Sequence, residues 1–426
     1  LTDKETTADG DPVQALTGGQ TTSGEVTTAR EKGQKQNRQS TGNDVTEVTG
    51  LRYWSNPEYT RVVIDASRET DFKNNLLDKD PSINKPHKRL YVDLKKSRLG
   101  EDIKRQIAID DTLLKDVRAG QHTPDTVRVV VDIKSFENYN IFSLKNPFRV
   151  VIDVRGETAS PSGTARAERG NGDLEGENTS IARQLALGVG RIVIDPGHGG
   201  KDPGAPGAID GVYEKHIVMD LAKTLGKQIR RQIGCEVLFT RRGDKYLTLE
   251  ERTAIANTKK ADLFISLHAN ASDNRNSYGV ETYFLNLTTD DESIAVAARE
   301  NATSKKNIGE LQTILNDLMQ NAKINESSRL ATYVQKSLYR NLSDRYKRIN
   351  NKGVKQAPFY VLLGAQMPSI LIETSFISNK RECRRLMDPQ YQKTLCRGII
   401  EGIKRYIETT RPTAFLSDEQ AKGADG

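Results

Sequence analysis

Two histidines and two glutamates, His198, Glu214, His268 and Glu373, stand where their types and surroundings could do hydrolytic chemistry. His198 breaks an apolar run in a glycine-flanked turn, Ile192-Val193-Ile194-Asp195-Pro196-Gly197-His198-Gly199-Gly200. His268 closes a second run, Phe264-Ile265-Ser266-Leu267-His268-Ala269-Asn270, and Glu373 a third, Ile370-Leu371-Ile372-Glu373-Thr374-Ser375. Glu214 opens a helical stretch after Gly207 and Gly211, from which it can reach back to His198. Zinc in hydrolytic sites commonly takes two His and one carboxylate and keeps a fourth position for water. It brings the pKa of that water to about 7. The pattern predicts His198, Glu214 and His268 as zinc ligands. Glu373 is then the free general base, taking the water proton and returning it to a leaving amine. Taken singly, each of these residues reads as an ordinary loop residue or cap. Their joint appearance at three strand ends, in a chain with five His, carries the metal reading. His216, two residues after Glu214, is the competing ligand, and Asp195 and Asp262 are expected as supporting or structural groups.

Side chains so far apart in sequence meet only if the runs that carry them end on one edge of a sheet. Residues 190–410 alternate strand-like and helical runs: Arg191–Asp195, a helix near Lys215–Gln232, Glu236–Thr240, a helix near Leu249–Asn257, then Asp262–Leu267. That alternation predicts an α/β domain with a mostly parallel central sheet flanked by helices. In such sheets, ligands bind beyond the carboxyl ends of the strands. Ile217, Leu221, Leu225 and Ile229 form one apolar stripe and are assigned to the core.

Residues 49–155 read differently. A short phrase recurs as Thr60–Asp65, Arg89–Leu94, Val127–Asp132 and Phe148–Asp153, each a β-branched run closed by Asp or by Asp and Leu. Four such runs with little helical patterning between them predict an all-β sandwich or barrel. It carries His87 and His122 in polar loops, read as surface residues, and no catalytic constellation, so it is expected to bind or localise. Residues 1–48 and 411–426 have the polar composition of disordered tails, and 156–189 that of a flexible linker.

Composition limits the alternatives. The net charge of +7, from 64 Lys and Arg against 57 Asp and Glu, is mild for 426 residues. Basic side chains are not clustered with aromatics, which argues against a nucleic-acid partner. No run of about 18 apolar residues exists, so no transmembrane helix is expected. Cys235, Cys383 and Cys396 are too few for a disulfide framework and lack CxxC spacing, although one pair, such as Cys383 with Cys396, remains open. The chain opens on Leu1 with no apolar secretory segment and is read as mature or truncated.

The motifs around His198, Glu214, His268 and Glu373-Thr374-Ser375-Phe376-Ile377-Ser378-Asn379 resemble those of the zinc-dependent N-acetylmuramoyl-L-alanine amidases of bacteria. The resemblance implies a peptidoglycan substrate, cleaved between the lactyl group of N-acetylmuramic acid and L-alanine of the stem peptide. It implies the same zinc ligands and the same catalytic glutamate. Residues 49–155 are similar to the AMIN domain, a β-sandwich that binds the cell wall. The pairing resembles the periplasmic division amidases of Gram-negative bacteria. Expected from it are export to the periplasm, a monomer, a role in splitting the septal wall, and a LytM-type activator protein. Two rival readings fit the same residues. A zinc carboxypeptidase would aim an Arg, such as Arg241, Arg242 or Arg252, at a terminal carboxylate. A non-catalytic wall-binding protein would carry a decayed site.

Residues 287–327 read as an insertion. Asp290–Ala302 has acids at its start and helical spacing after them, and Ile308, Leu311, Leu315, Leu318 and Ala322 form a second stripe. In the regulated division amidases such a helical insert covers the site and offers an acid to zinc. By that resemblance Glu300 is the expected autoinhibitory acid, with Glu292 and Glu310 as alternatives, and the second stripe is a docking face for the activator.

Overall fold

The computed structural model describes residues 45–80, 86–156, 188–303 and 321–410. Ten strands come first: β1 (Thr46–Asn56), β2 (Tyr59–Ala66), β3 (Phe72–Leu77), β4 (Lys88–Lys95), β5 (Ser97–Leu99), β6 (Gln106–Ala108), β7 (Leu114–Thr123), β8 (Thr126–Ile133), β9 (Asn138–Leu144) and β10 (Arg149–Arg155). They form two five-stranded sheets, ordered β5-β1-β2-β10-β9 and β3-β4-β8-β7-β6. Val62, Ile64, Val150 and Ile152 of the first sheet share one buried cluster with Leu90, Val92, Val129 and Val131 of the second, which makes a sandwich. Its first strand begins at Thr46, inside the stretch read as a tail. Thr46 and Val48 are both buried there. Two inward positions among polar neighbours are too short a signal for alternation to reveal.

The recurring phrase has a physical reason. Each copy carries Arg and Asp four residues apart: Arg61 and Asp65, Arg89 and Asp93, Arg128 and Asp132, Arg149 and Asp153. Antiparallel pairing sets Arg61 opposite Asp153 and Asp93 opposite Arg128. The Arg61 guanidinium grips Asp153 with two bonds of 2.6 Å, and Arg128 grips Asp93 at 2.6 and 2.8 Å. Cross-strand pairs of opposite charge fix register in this way. The apolar positions of β2 and β10 do not alternate with solvent. Val63 and Val151 point away from the sandwich core, into a second cluster with Tyr360 and Leu363 of the C-terminal half.

That half contains β11 (Arg191–Pro196), α1 (Glu214–Gln232), β12 (Glu236–Phe239), α2 (Leu249–Thr258), β13 (Leu263–Asn270), β14 (Val280–Leu285), α3 (Asp291–Glu300), α4 (Asn321–Ser343), β15 (Asn351–Ala357), β16 (Ser369–Phe376), α5 (Lys380–Met387) and α6 (Pro389–Thr410). The six strands order as β12-β11-β13-β16-β14-β15. Every neighbouring pair is parallel except β14 with β16. Helices α1, α4, α5 and α6 bury their apolar stripes on one face, and α2 and α3 cover the other. The stripe Ile217, Leu221, Leu225 and Ile229 lies in the first of these cores; burying each such side chain stabilises by roughly 1.5–3 kcal/mol. The all-β sandwich and the helix-flanked, mostly parallel sheet are as the sequence predicts. Helix α4 starts at Asn321, so it takes in the end of the 287–327 insertion. Cys235, Cys383 and Cys396 are buried free thiols, and Cys383 and Cys396 do not pair.

A charged seam joins the halves. Glu250 of α2, 1% exposed, accepts from Arg52 of β1 at 2.8 Å and from Arg149 of β10. Burial works to raise the Glu250 pKa, but Arg149 and Arg52 outweigh it and hold the carboxyl below its usual range. Its stabilising contribution is therefore present above the unfolded glutamate pKa of about 4.3 and lost as pH falls through the lower folded value. Glu250→Ala leaves Arg149 buried without its partner and is expected to cost about 3–5 kcal/mol in chemical denaturation at neutral pH. The gap from the parent should shrink on acidification below about pH 4. A gap unchanged by pH would show that the charge contributes nothing.

Candidate active site

Strands β11, β13 and β16 are adjacent and parallel, so their carboxyl ends share one edge. His198 follows β11, His268 is in β13, and Glu373 lies directly beside His268 in register on β16. The chain turns sharply at the first of these ends. His198 adopts φ +58°, followed by Gly199 at +122° and Gly200 at +59°. A left-handed non-glycine residue costs on the order of 1 kcal/mol, so other contacts must hold it. Gly197 and Gly204 are required by crowding: a Cβ at Gly197 would lie 2.4 Å from Cε1 of His268, and one at Gly204 2.8 Å from Oε2 of Glu214.

Four side chains converge. His198 Nε2 is 3.2 Å from Glu214 Oε2 and 3.2 Å from Glu300 Oε2. His268 Nδ1 is 3.1 Å from Glu214 Oε1 and 2.8 Å from Glu300 Oε2. One donor atom from each of the four lies within 4.8 Å of all the others. Glu214 is steadied by the backbone amides of Ala205 and Ala269, both at 2.9 Å. His198 turns its other nitrogen to Asp202 at 2.9 Å. Glu373 is fully buried, neither of its carboxylate oxygens has a hydrogen-bond partner, and the Arg299 guanidinium is 4.0 Å away.

The electrostatics match a site built for a cation. Burial alone would lower the pKa of both histidines. For His198, Glu214, Asp202 and Glu300 override it and hold the imidazole well above its usual value. For His268, Glu300 and Glu214 raise it to about 10. Burial would raise Glu214, yet the facing His198 holds it down at about 2. Glu300 is likewise held well below its usual value by His268 and His198, against burial. Glu373 goes the other way: burial first, then the charge of Glu300, push it well above the usual carboxylate range. His198 Nε2 and Glu300 Oε2 are buried within 3.2 Å of one another without hydrogen-bond geometry. Two imidazoles and a carboxylate aimed at a common point fit a zinc ion.

The remaining sequence candidates fall elsewhere. His216 is exposed, its ring edge-on to Tyr213 at 6.4 Å, and is not in the cluster. Glu292 pairs with Lys352 and Lys355 at 2.6 and 2.8 Å, away from the histidines. Glu310 and the stripe residues Ile308, Leu311, Leu315 and Leu318 lie outside the described residues. Asp262 accepts from the amides of Gly190 and Arg191 at the foot of β11. Asp195 is buried among Thr240, Ser266 and Arg252. Sequence reasoning missed Asp202 and Arg299. The first had a usable signal, an Asp four residues after His198, since ligating histidines commonly bond a carboxylate through the second nitrogen.

Comparison with known proteins agrees with this geometry. A family model described as N-acetylmuramoyl-L-alanine amidase matches residues 192–405, and an AMIN domain model matches residues 50–142. N-acetylmuramoyl-L-alanine amidase AmiC of Neisseria meningitidis serogroup B is 30% identical over 85% of this chain and 91% of its own length. The chain belongs to the N-acetylmuramoyl-L-alanine amidase family. AmiC of Escherichia coli O6:H1 is 30% identical over 85% of this amidase and 90% of its own length. AmiA of E. coli K12 is 34% identical over 51% of this chain and 75% of its own.

In the amidase, two of the three arginines that could have served a carboxypeptidase are committed to other partners. Arg241 donates to the carbonyls of Pro196, Gly197, Lys215 and Gly243. Arg252 donates to Asp195 and to the carbonyls of Pro196, His198 and Leu247. Neither is free to receive a substrate carboxylate. Among the described residues, no helix is long and apolar enough to cross a membrane.

Proposed function

We propose that this amidase is zinc-dependent and hydrolyses the amide between the lactyl group of N-acetylmuramic acid and L-alanine of the stem peptide. The observation that carries the reading is the convergence of His198, Glu214 and His268 beside the unpartnered Glu373. His198, Glu214 and His268 would hold the zinc, with Asp202 orienting the His198 ring. Zinc bound there supplies Lewis-acid chemistry, polarising the amide carbonyl and acidifying water to near neutral pH. Glu373, in its dry pocket, takes the water proton and delivers it to the departing alanine nitrogen. Burial of the pocket strengthens each of these interactions.

Glu300 is read as a brake. Its carboxylate faces the same two imidazole nitrogens that would face the ion. Helix α3 delivers it, capped by Asp290 on the Ser293 amide at 3.0 Å. Arg299 ties the end of that helix to Asn270 and to the Ala271 carbonyl at 2.9 and 2.6 Å. Release falls to a partner, a LytM-type activator, that draws the helix away. The place of action is the periplasm, the task septal wall splitting, and the acting form a monomer, with the AMIN domain holding it on peptidoglycan.

Mass spectrometry of peptidoglycan after incubation with the protein tests the bond. The expected products are intact stem peptides with a free L-alanine amine, lost on chelation and restored by zinc. Cleaved glycan strands or shortened stem peptides would identify a different hydrolase.

A further inference from the structure

Helix α2 (Leu249–Thr258) works in two directions. Toward the active site, Arg252 is 2% exposed. Its Nη1 donates to Asp195 Oδ1 at 2.9 Å and to the Pro196 carbonyl at 3.0 Å. Its Nη2 donates to the carbonyl of His198 at 2.9 Å and to that of Leu247 at 3.1 Å. Asp195 is itself anchored by Thr240 and Ser266, so Arg252 is fixed at its far end as well. It therefore clamps the peptide of the residue whose left-handed backbone aims an imidazole at the cluster.

Toward the β-sandwich, the same helix receives four side chains. Arg52 and Arg149 bond the Glu250 carboxylate. Arg61, fully buried, donates to the Glu250 carbonyl at 3.1 Å and to Thr253 Oγ1 at 2.8 Å. Asn56 donates to the carbonyls of Asn257 and Thr258, each at 3.1 Å. Residues two apart on a helix project about 200° from one another, so Glu250 and Arg252 serve opposite sides of one short rod. The rod starts with a capping box of Thr248 and Glu251. Glu250 and Arg252 lie less than one turn apart, so the sandwich contacts and the clamp on His198 share one short helical segment.

We propose that Arg252 is a positioning residue for His198, and that the seating of the β-sandwich on α2 sets Arg252. The N-terminal domain is then part of the support of the metal centre as well as a module beside it. This rests on the reading of His198 as a metal ligand. Partners one shell beyond the ligands commonly govern metal affinity by 10–100-fold.

The test uses the full chain and reads the metal directly, by zinc affinity in chelator competition and by the visible spectrum of the cobalt(II)-loaded protein. Arg252→Lys is expected to weaken zinc about 10–100-fold and to alter the cobalt spectrum. Arg52→Ala, a partly exposed change in the sandwich with no contact to any proposed ligand, is expected to weaken zinc about 2- to 30-fold with the spectrum shifted in the same direction. If Arg252→Lys does not fold, Arg52→Ala decides the matter alone. A folded Arg252→Lys with parental affinity and spectrum overturns the positioning role. A parental Arg52→Ala overturns the link to the sandwich. Parental protein that takes up no stoichiometric zinc overturns the metal reading itself, and this inference with it.

Discussion

Glu373→Ala should leave peptidoglycan uncut while the protein keeps its zinc. The carboxylate is fully buried, neither of its oxygens has a hydrogen-bond partner, and it is absent from the four groups that share a donor position. A group so placed suits the proposed role of holding a proton in transit. Loss of a positioned acid–base group typically costs 10²–10⁴-fold in rate, so release of stem peptides should fall by about that factor. Metal content by atomic absorption should stay near that of the parent, because His198, Glu214 and His268 are untouched. Zinc lost from this variant would make Glu373 a ligand, and retained hydrolysis would move the base elsewhere.

Glu300→Ala is expected to raise hydrolysis in the absence of any activator. Glu300 Oε2 sits 2.8 Å from His268 and 3.2 Å from His198, facing the nitrogens proposed to hold zinc. Its charge also joins burial in pushing the Glu373 carboxyl upward. Couplings of this kind typically span 5–150-fold, and a gain of that order is expected in dye release from labelled peptidoglycan. A form lacking 287–327 should show the same gain. That deletion also takes the first residues of α4, so the point variant is the cleaner experiment. A variant that digests no faster than the parent without partner would refute the brake, leaving Glu300 as a structural acid.

The local grammar of the chain was legible. The strand runs before His198, around His268 and before Glu373, the stripe of α1, and the four Arg–Asp phrases all carry periodicities that depend on near neighbours. The family motifs ride on those same runs. What the sequence could not reveal depends on distance across the fold. The acid at position 300 was one of three candidates in the insertion, because helical spacing places all three on plausible turns; only the packing of α3 brings one to the histidines and sends Glu292 to Lys352 and Lys355. Arg241 and Arg252 read as possible substrate arginines, and only the turn at His198 shows them spent on backbone carbonyls. The union of sandwich and catalytic half through Arg61, Arg149 and Glu250 had no sequence signal: Arg61 already has a partner in Asp153 of the neighbouring strand, and Arg149 meets Glu250 only across the fold. Periodicity is written by the backbone hydrogen bonds of one element. Which side chain meets which across elements is decided by sheet order and register, and those are settled only when the whole chain packs.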